Sequence, residues 1–371
     1  MWYVMSVPPP FPRVTAIHRS RSFVKIAFLL PFAPTAIAAA IFLYASSALA
    51  QPDPSGIDFV TIGAVGNPAY SGPDPNHRVT GRGGINYLYK LGRTEVTTSQ
   101  WMEFFNTFYG RVNYIGEPDT WGAIATGNAS QPFRLNPSIP QAGDIPVSGI
   151  IWRASAMYCN WLHNDKSTDI EALQNGAYDI STFGYTGPGG NIFTDQAAHN
   201  PDARYWIPTL DEWIKASYYD PNYGGAGVGG WWWRSINGSN TPIVNGPPGQ
   251  GQANAGFDLP GNGQYRIPLG AYPDTLTPWG LLDAAGGTAE FLETIANPTE
   301  VPTRYVAGTA WSTPNISSGL IYSLGGEFPS IPDYQIGFRV AAAIPAPATA
   351  WMAYPALYWW GRNTRKSTLC R

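Results

Sequence analysis

GRTEVTTSQWMEFFN, residues 92–106, holds the pattern that decides most about this chain. Thr97 stands three residues ahead of Gln100, the spacing at which each side chain can accept from the other residue's backbone N–H and close a helix start. Trp101, Phe104, Phe105 and Phe108 then recur at i, i+3, i+4 and i+7, the period of one buried helical face. This predicts a short helix that turns four aromatic rings inward. Two further segments share that logic. Arg153 to Asn164 places Tyr158, Trp161 and Leu162 on one side, and Thr209 with Glu212 forms a second capping box ahead of Trp213, Ala216 and Ser217.

Long amphipathic helices are few. Charged residues make up 13% of the chain, whereas glycine (41) and proline (35) are plentiful and the 15 tryptophans and 21 tyrosines are spread throughout. That composition predicts a loop-rich α+β domain in which aromatic rings fill the gaps between short elements. Gly224 to Gly230 and Asn245 to Gly263 read as surface loops. No repeat of roughly 20 to 50 residues is visible, which disfavours solenoids and propellers.

Arg13, Arg19, Arg21 and Lys25 precede an apolar run, Ile26 to Tyr44, that closes with the small pair Ala48-x-Ala50. Residues 1–50 are therefore expected to be a signal peptide cleaved after Ala50. The alternative is an uncleaved anchor, against which Pro31 and Pro34 count because they interrupt the run. Residues 51–344 carry 14 basic against 25 acidic side chains. That excess of acid argues against nucleic acid as a partner and is compatible with solubility or with bound divalent cations.

Five strings, in order, carry a resemblance to a known family. They are residues 92–106, IIWRASAMYCNWLHN (150–164), RYWIPTLDEWIKASYYDPN (204–222), WGLLDAAGGTAEFLE (279–293) and IGFRVAA (336–342). Together they resemble the sulfatase-modifying-factor, or formylglycine-generating-enzyme, family. The resemblance implies its loop-rich α+β, C-type-lectin-like fold across residues 51–344. It also implies a copper-binding cysteine pair between the strand of the family's "RGGSW" string and that of its "GFR" string, because thiolates suit cuprous ion. Residues 305–339 match that interval and contain no cysteine. Within the first string, Ala307, Thr309 and Ala310 replace the family's arginine, glycine and serine, while Gly308 and Trp311 remain. Copper-dependent oxidation of a substrate cysteine is accordingly not expected.

Calcium is the other metal the resemblance implies, at Glu290 in the turn Gly286 to Phe291 and at Asn254 with backbone oxygens near Ala255. Hard oxygen ligands suit that ion, although Gly287 replaces the asparagine of the family's turn. The competing reading makes Asn254 a turn residue and Glu290 an internally paired acid. Pro345-Ala346-Pro347, the apolar stretch Ala348 to Trp360 and the basic end Arg362 to Arg371 resemble a degenerate PEP-CTERM sorting tail, residues 345–371.

The remaining chemistry is thin. Cys159 and His163 lie four apart on the second helix, where they either form a pair or, more simply, fill the core. A Cys159–Cys370 disulfide is not expected, because Cys370 sits in a terminal tail. Gly225-x-Gly227-x-x-Gly230 follows no strand and is not expected to bind a dinucleotide. Trp231, Trp232 and Trp233 with Arg234 could stack on a sugar or pack inside the domain. His77 and His199 lie in polar loops without ligand spacing.

Two functions follow. One is an exported module of the periplasm, cell envelope or extracellular matrix that binds a protein, peptide or polysaccharide and touches the membrane transiently through its terminal segments. The other is an enzyme with a re-equipped pocket near Trp311, Ser312 and Arg339, drawing on Glu327, Asp333 or Tyr334. An open cleft at Trp311 and Arg339 favours a ligand binder or enzyme, and a filled one favours a scaffold.

Overall fold

The computed structural model describes residues 52–112, 122–225, 229–257, 263, 265–297, 301–312 and 318–345. The expected leader and the sorting tail beyond Pro345, with Cys370, lie outside the described residues. In chain order the strands are β1 (Phe59–Ile62), β2 (Tyr89–Gly92), β3 (Ala123–Ala125), β4 (Phe133–Leu135), β5 (Tyr185–Thr186), β6 (Ile192–Phe193), β7 (Tyr205–Trp206), β8 (Tyr219–Asp220), β9 (Trp231–Trp232), β10 (Ala289–Ala296), β11 (Thr303–Ala307), β12 (Leu324–Glu327), β13 (Ile336–Gly337) and β14 (Ala341–Ala342). The helices are α1 (Thr98–Phe108), α2 (Trp152–His163) and α3 (Leu210–Tyr218).

Each helix forms where its local pattern demands. Both capping boxes are made: the Gln100 N–H donates to Thr97 Oγ1 at 3.2 Å and the Thr97 N–H to Gln100 Oε1 at 3.0 Å, with the Thr209–Glu212 pair doing the same for α3. Satisfying two otherwise orphaned donors at a helix start is worth about 1 kcal/mol. Trp101, Phe104, Phe105 and Phe108 are all buried. The Trp101 ring stacks on Tyr158 of α2 at 5.6 Å and meets Phe338 edge-on at 5.8 Å, so the first two helices share one aromatic core.

Two four-stranded sheets complete the domain, ordered β1-β2-β14-β7 and β12-β11-β10-β13. β14 is slotted between β2 and β7, pairing Ala341 with both Leu91 and Trp206. The final strand thereby ties together segments far apart in sequence. β13 runs parallel to β10, with Glu290 opposite Gly337, and every other pairing between these strands is antiparallel. The register of β10 against β11 shifts between Phe291 and Ile295, and such a bulge re-aims the side chains within it.

One loop expectation is corrected. The stretch from Asn245 does not stay on the surface, because Ala253, Asn254 and Ala255 are buried. The Asn254 carboxamide reaches the turn before β10, which draws its neighbours inward.

Candidate functional site

Between β10 and the segment after β13 lies a buried ion pair. Arg339 follows β13 and Glu290 sits on the adjoining β10; their side chains are 0% and 1% exposed. Arg339 donates from Nε to Glu290 Oε2 at 2.6 Å and from Nη2 to Oε1 at 2.7 Å. Its remaining N–H groups reach the carbonyls of Gly92, Arg93, Leu282 and Asp283. Trp213 Nε1 also donates to Glu290 Oε2, at 2.9 Å. Burial alone would lower the Arg339 pKa, but the Glu290 charge outweighs it and holds the guanidinium protonated.

Two further acids stand near this pair. Glu95 accepts from the Thr288 N–H and hydroxyl through Oε1, while its Oε2 is buried without a hydrogen-bond partner. Burial, then the charges of Glu290 and Asp283, push its pKa well above the usual carboxylate range. Burial likewise pushes Asp283 up to about 6, although its Oδ2 accepts from the Gly270 N–H. An acid that stays protonated is how a buried site avoids the cost of an uncompensated charge.

The turn leading into Glu290 is shaped for close approach. Gly286 and Gly287 have φ of 84° and 61°, in the left-handed region. A Cβ at Gly286 would lie 2.3 Å from Asn254 Oδ1, so only glycine fits there. Asn254 Oδ1 itself accepts from the Gly287 N–H at 2.7 Å.

These contacts give the calcium-candidate residues internal partners. Both Glu290 oxygens face the Arg339 guanidinium, the internal pairing that is the competing reading of this acid. Asn254 Oδ1 already has the Gly287 amide, so that residue clamps a turn, with Ala255 buried beside it. Among the described residues no group of three or more His, Cys, Asp or Glu side chains is arranged to hold a metal. Copper does not fit either. Residues 305–339 supply no thiol, and Cys159 lies in the aromatic core with its thiol pushed well above its usual pKa by burial.

Arg339 lines no opening, being fully buried. Trp311 is half-buried against the Tyr265 ring, and the exposed Ser312 donates to Gln335 Oε1. Asp333 accepts from the Gln335 N–H, Glu327 from the Phe328 N–H, and Tyr334 is 68% exposed. No nucleophile and base meet among them. Cys159 and His163 do not pair: His163 Nδ1 accepts from the Arg204 N–H at 3.2 Å, and burial with the Arg204 charge lowers its pKa.

Sequence reasoning missed a second polar cluster. Glu293, inside the β10 bulge, accepts from Tyr178 Oη at 2.9 Å and from the His199 N–H at 2.7 Å, with His199 Nδ1 at 2.8 Å. The His199 ring stacks on Trp206 at 4.5 Å. Burial works to lower the His199 pKa, yet the hydrogen bond and charge of Glu293 prevail and raise it. The two residues are 94 positions apart, and nothing local in the sequence links them.

The chain belongs to the sulfatase-modifying-factor family: residues 59–344 match the model of the sulfatase-modifying factor enzyme 1-like domain. Its fold is accordingly that of the formylglycine-generating-enzyme-like domains, rich in loops and short strands. Similar solved structures include one titled "Crystal Structure of CarF", 19% identical, covering 78% of this chain and 99% of that one with a TM-score of 0.48. Variable protein 1 of Treponema denticola is 14% identical over 76% of this chain and 94% of its own, with a TM-score of 0.47. PvdO from Pseudomonas aeruginosa is 14% identical over 78% and 92%, with a TM-score of 0.40. At these identities the likeness concerns fold alone. No curated protein matches the chain.

Proposed function

We propose that this chain is an exported module of the cell envelope or extracellular space that binds a protein, peptide or polysaccharide, and that it does not perform the family's copper-dependent oxidation. One observation carries the reading: the interval that would supply the reactive thiols, residues 305–339, has none. Thiolate is both the ligand for cuprous ion and the route to electron transfer, and hydroxyl oxygen is a poor substitute. Ser312 and Asp333 both bond to Gln335, Glu327 accepts from the Phe328 N–H and Tyr334 is exposed, so no nucleophile–base hydrogen bond links these four, which counts against a re-equipped catalytic pocket. The basic leader with its Ala48-x-Ala50 site and the PEP-CTERM-like tail support export with passing membrane contact.

The test is aerobic incubation of the full chain with copper and a sulfatase-type cysteine peptide, followed by mass spectrometry. An unchanged peptide is expected, and conversion of its cysteine to an aldehyde overturns the reading. Cell fractionation checks the export half: the protein is expected outside the cytoplasm with Gln51 as its first residue.

A further inference from the structure

The antiparallel pair β8–β9 places the three consecutive tryptophans in three different environments. Trp232 is a fixed wall: its Nε1 donates to the Pro68 carbonyl at 3.0 Å, and its ring packs edge-on against Tyr70 at 5.8 Å and tilted against Tyr219 at 5.0 Å. A Cβ at Gly83 would lie 2.4 Å from that ring, so the wall is seated on bare backbone. Trp233 turns to Asp220 and Tyr223. Trp231 is different, being 46% exposed and supported from one side by Tyr223 at 5.4 Å.

Trp231 and Trp232 border a cleft of about 470 Å³ that Tyr70, Ser71, Arg234 and Asn240 also line. Arg234 is the unusual member. Its backbone is held on both sides, the N–H by Asn240 Oδ1 at 3.3 Å and the carbonyl by the Ile321 N–H at 2.9 Å. Its half-buried guanidinium nevertheless makes no hydrogen bond, ion pair or ring contact with any described residue, and its Nε is buried without a partner. Leaving a buried donor unmatched is costly, more so for a charged group, and an acceptor entering the cleft would relieve it. The planar fork of arginine suits a carboxylate, which can take two parallel N–H bonds.

The rest of the cleft narrows the ligand. Because Asn240 Oδ1 faces the Arg234 N–H, its amide hydrogens remain for a hydroxyl, and the exposed Ser71 adds another hydrogen-bonding group. An exposed indole offers a flat apolar face to the C–H side of a sugar ring. The domain as a whole is acidic, so an unpaired cation in an aromatic cleft is a local exception. We infer that this cleft binds an acidic saccharide, with Trp231 carrying a uronic acid ring and Arg234 pairing with its carboxylate. The inference rests on the binding-module reading and gives it a site and a ligand class.

Calorimetric titration of the full chain with oligogalacturonate and oligomannuronate, against neutral oligosaccharides of equal length, tests it. At least one acidic oligomer is expected to bind, about tenfold or more tighter than the neutral ones, and more weakly as salt is raised. Arg234→Gln and Trp231→Ala should each weaken that binding about tenfold or more without lowering the thermal midpoint, and Arg234→Lys should retain part of it. Equal binding of neutral sugars, indifference to Arg234→Gln, binding of a peptide carboxylate in place of the saccharide, or no binding by any oligomer overturns the inference. The broader reading fails separately, through aldehyde formation on the cysteine peptide.

Discussion

Arg339 sits wholly out of solvent and is matched at every turn, by two oxygens of Glu290 and by four backbone carbonyls, whereas Arg234 has a pinned backbone and a guanidinium that makes no hydrogen bond or ion pair among the described residues. The same chemical group serves opposite ends. In the first region the charge is internal to the fold and fully matched there. In the second the charge is left for something outside the molecule. The contrast teaches that a site is recognised by unmet bonding capacity near an opening, and a scaffold by its completion.

The sharpest way to break this contrast is Arg339→Met. It strands Glu290 as a buried, unpaired acid, and a loss of about 3–5 kcal/mol in denaturant unfolding is expected. Adding Glu290→Leu should recover much of that loss, since removing both charges leaves neither stranded. Failure of the double variant to recover would mean that the pair does more than hold the fold. Next comes Trp213→Phe, which keeps a ring in the core and removes the donor to Glu290. About 1–3 kcal/mol should be lost, read from the midpoint of the same transition.

Glu95 gives a smaller effect with a defined sign. Its folded pKa lies above the ordinary 4.5, so as pH climbs past that value the unfolded chain ionises while the folded chain keeps its proton. Stability therefore falls with rising pH across that window. Glu95→Gln should flatten the dependence and exceed the native chain by roughly 1 kcal/mol at mildly alkaline pH, checked by denaturant unfolding at several pH values. Smallest of all, Arg234→Gln should shift stability by no more than about 0.5 kcal/mol, because no internal partner is lost. A large drop would place Arg234 with Arg339 among the structural groups.

The helices were legible because their determinants are local. Thr97 with Gln100, Thr209 with Glu212, and the aromatic spacing from Trp101 to Phe108 each lie within a few turns. The ordered family strings then supplied the fold as a whole. What stayed hidden is non-local: the insertion of β14 between β2 and β7, the Glu293–His199 contact, and the burial of Ala253 to Ala255 all depend on pairings across the chain. The internal pairing of Glu290 was open as one alternative, but its partner was not identifiable, since Arg339 lies 49 positions away. The Trp231 to Arg234 string suggested a sugar platform or core packing, and it took the exposure of one ring and the isolation of one guanidinium to separate the two.

The measurement that bears most directly on the proposed absence of oxidase chemistry is cuprous ion binding by competition with a colorimetric chelator, using the full chain with Cys370→Ser so that only Cys159 remains. A buried thiol held protonated should leave the metal with the chelator, and the further change Cys159→Ser should make no difference. Stoichiometric uptake that disappears with Cys159→Ser would contradict the account, by showing that the domain still presents a thiol to copper.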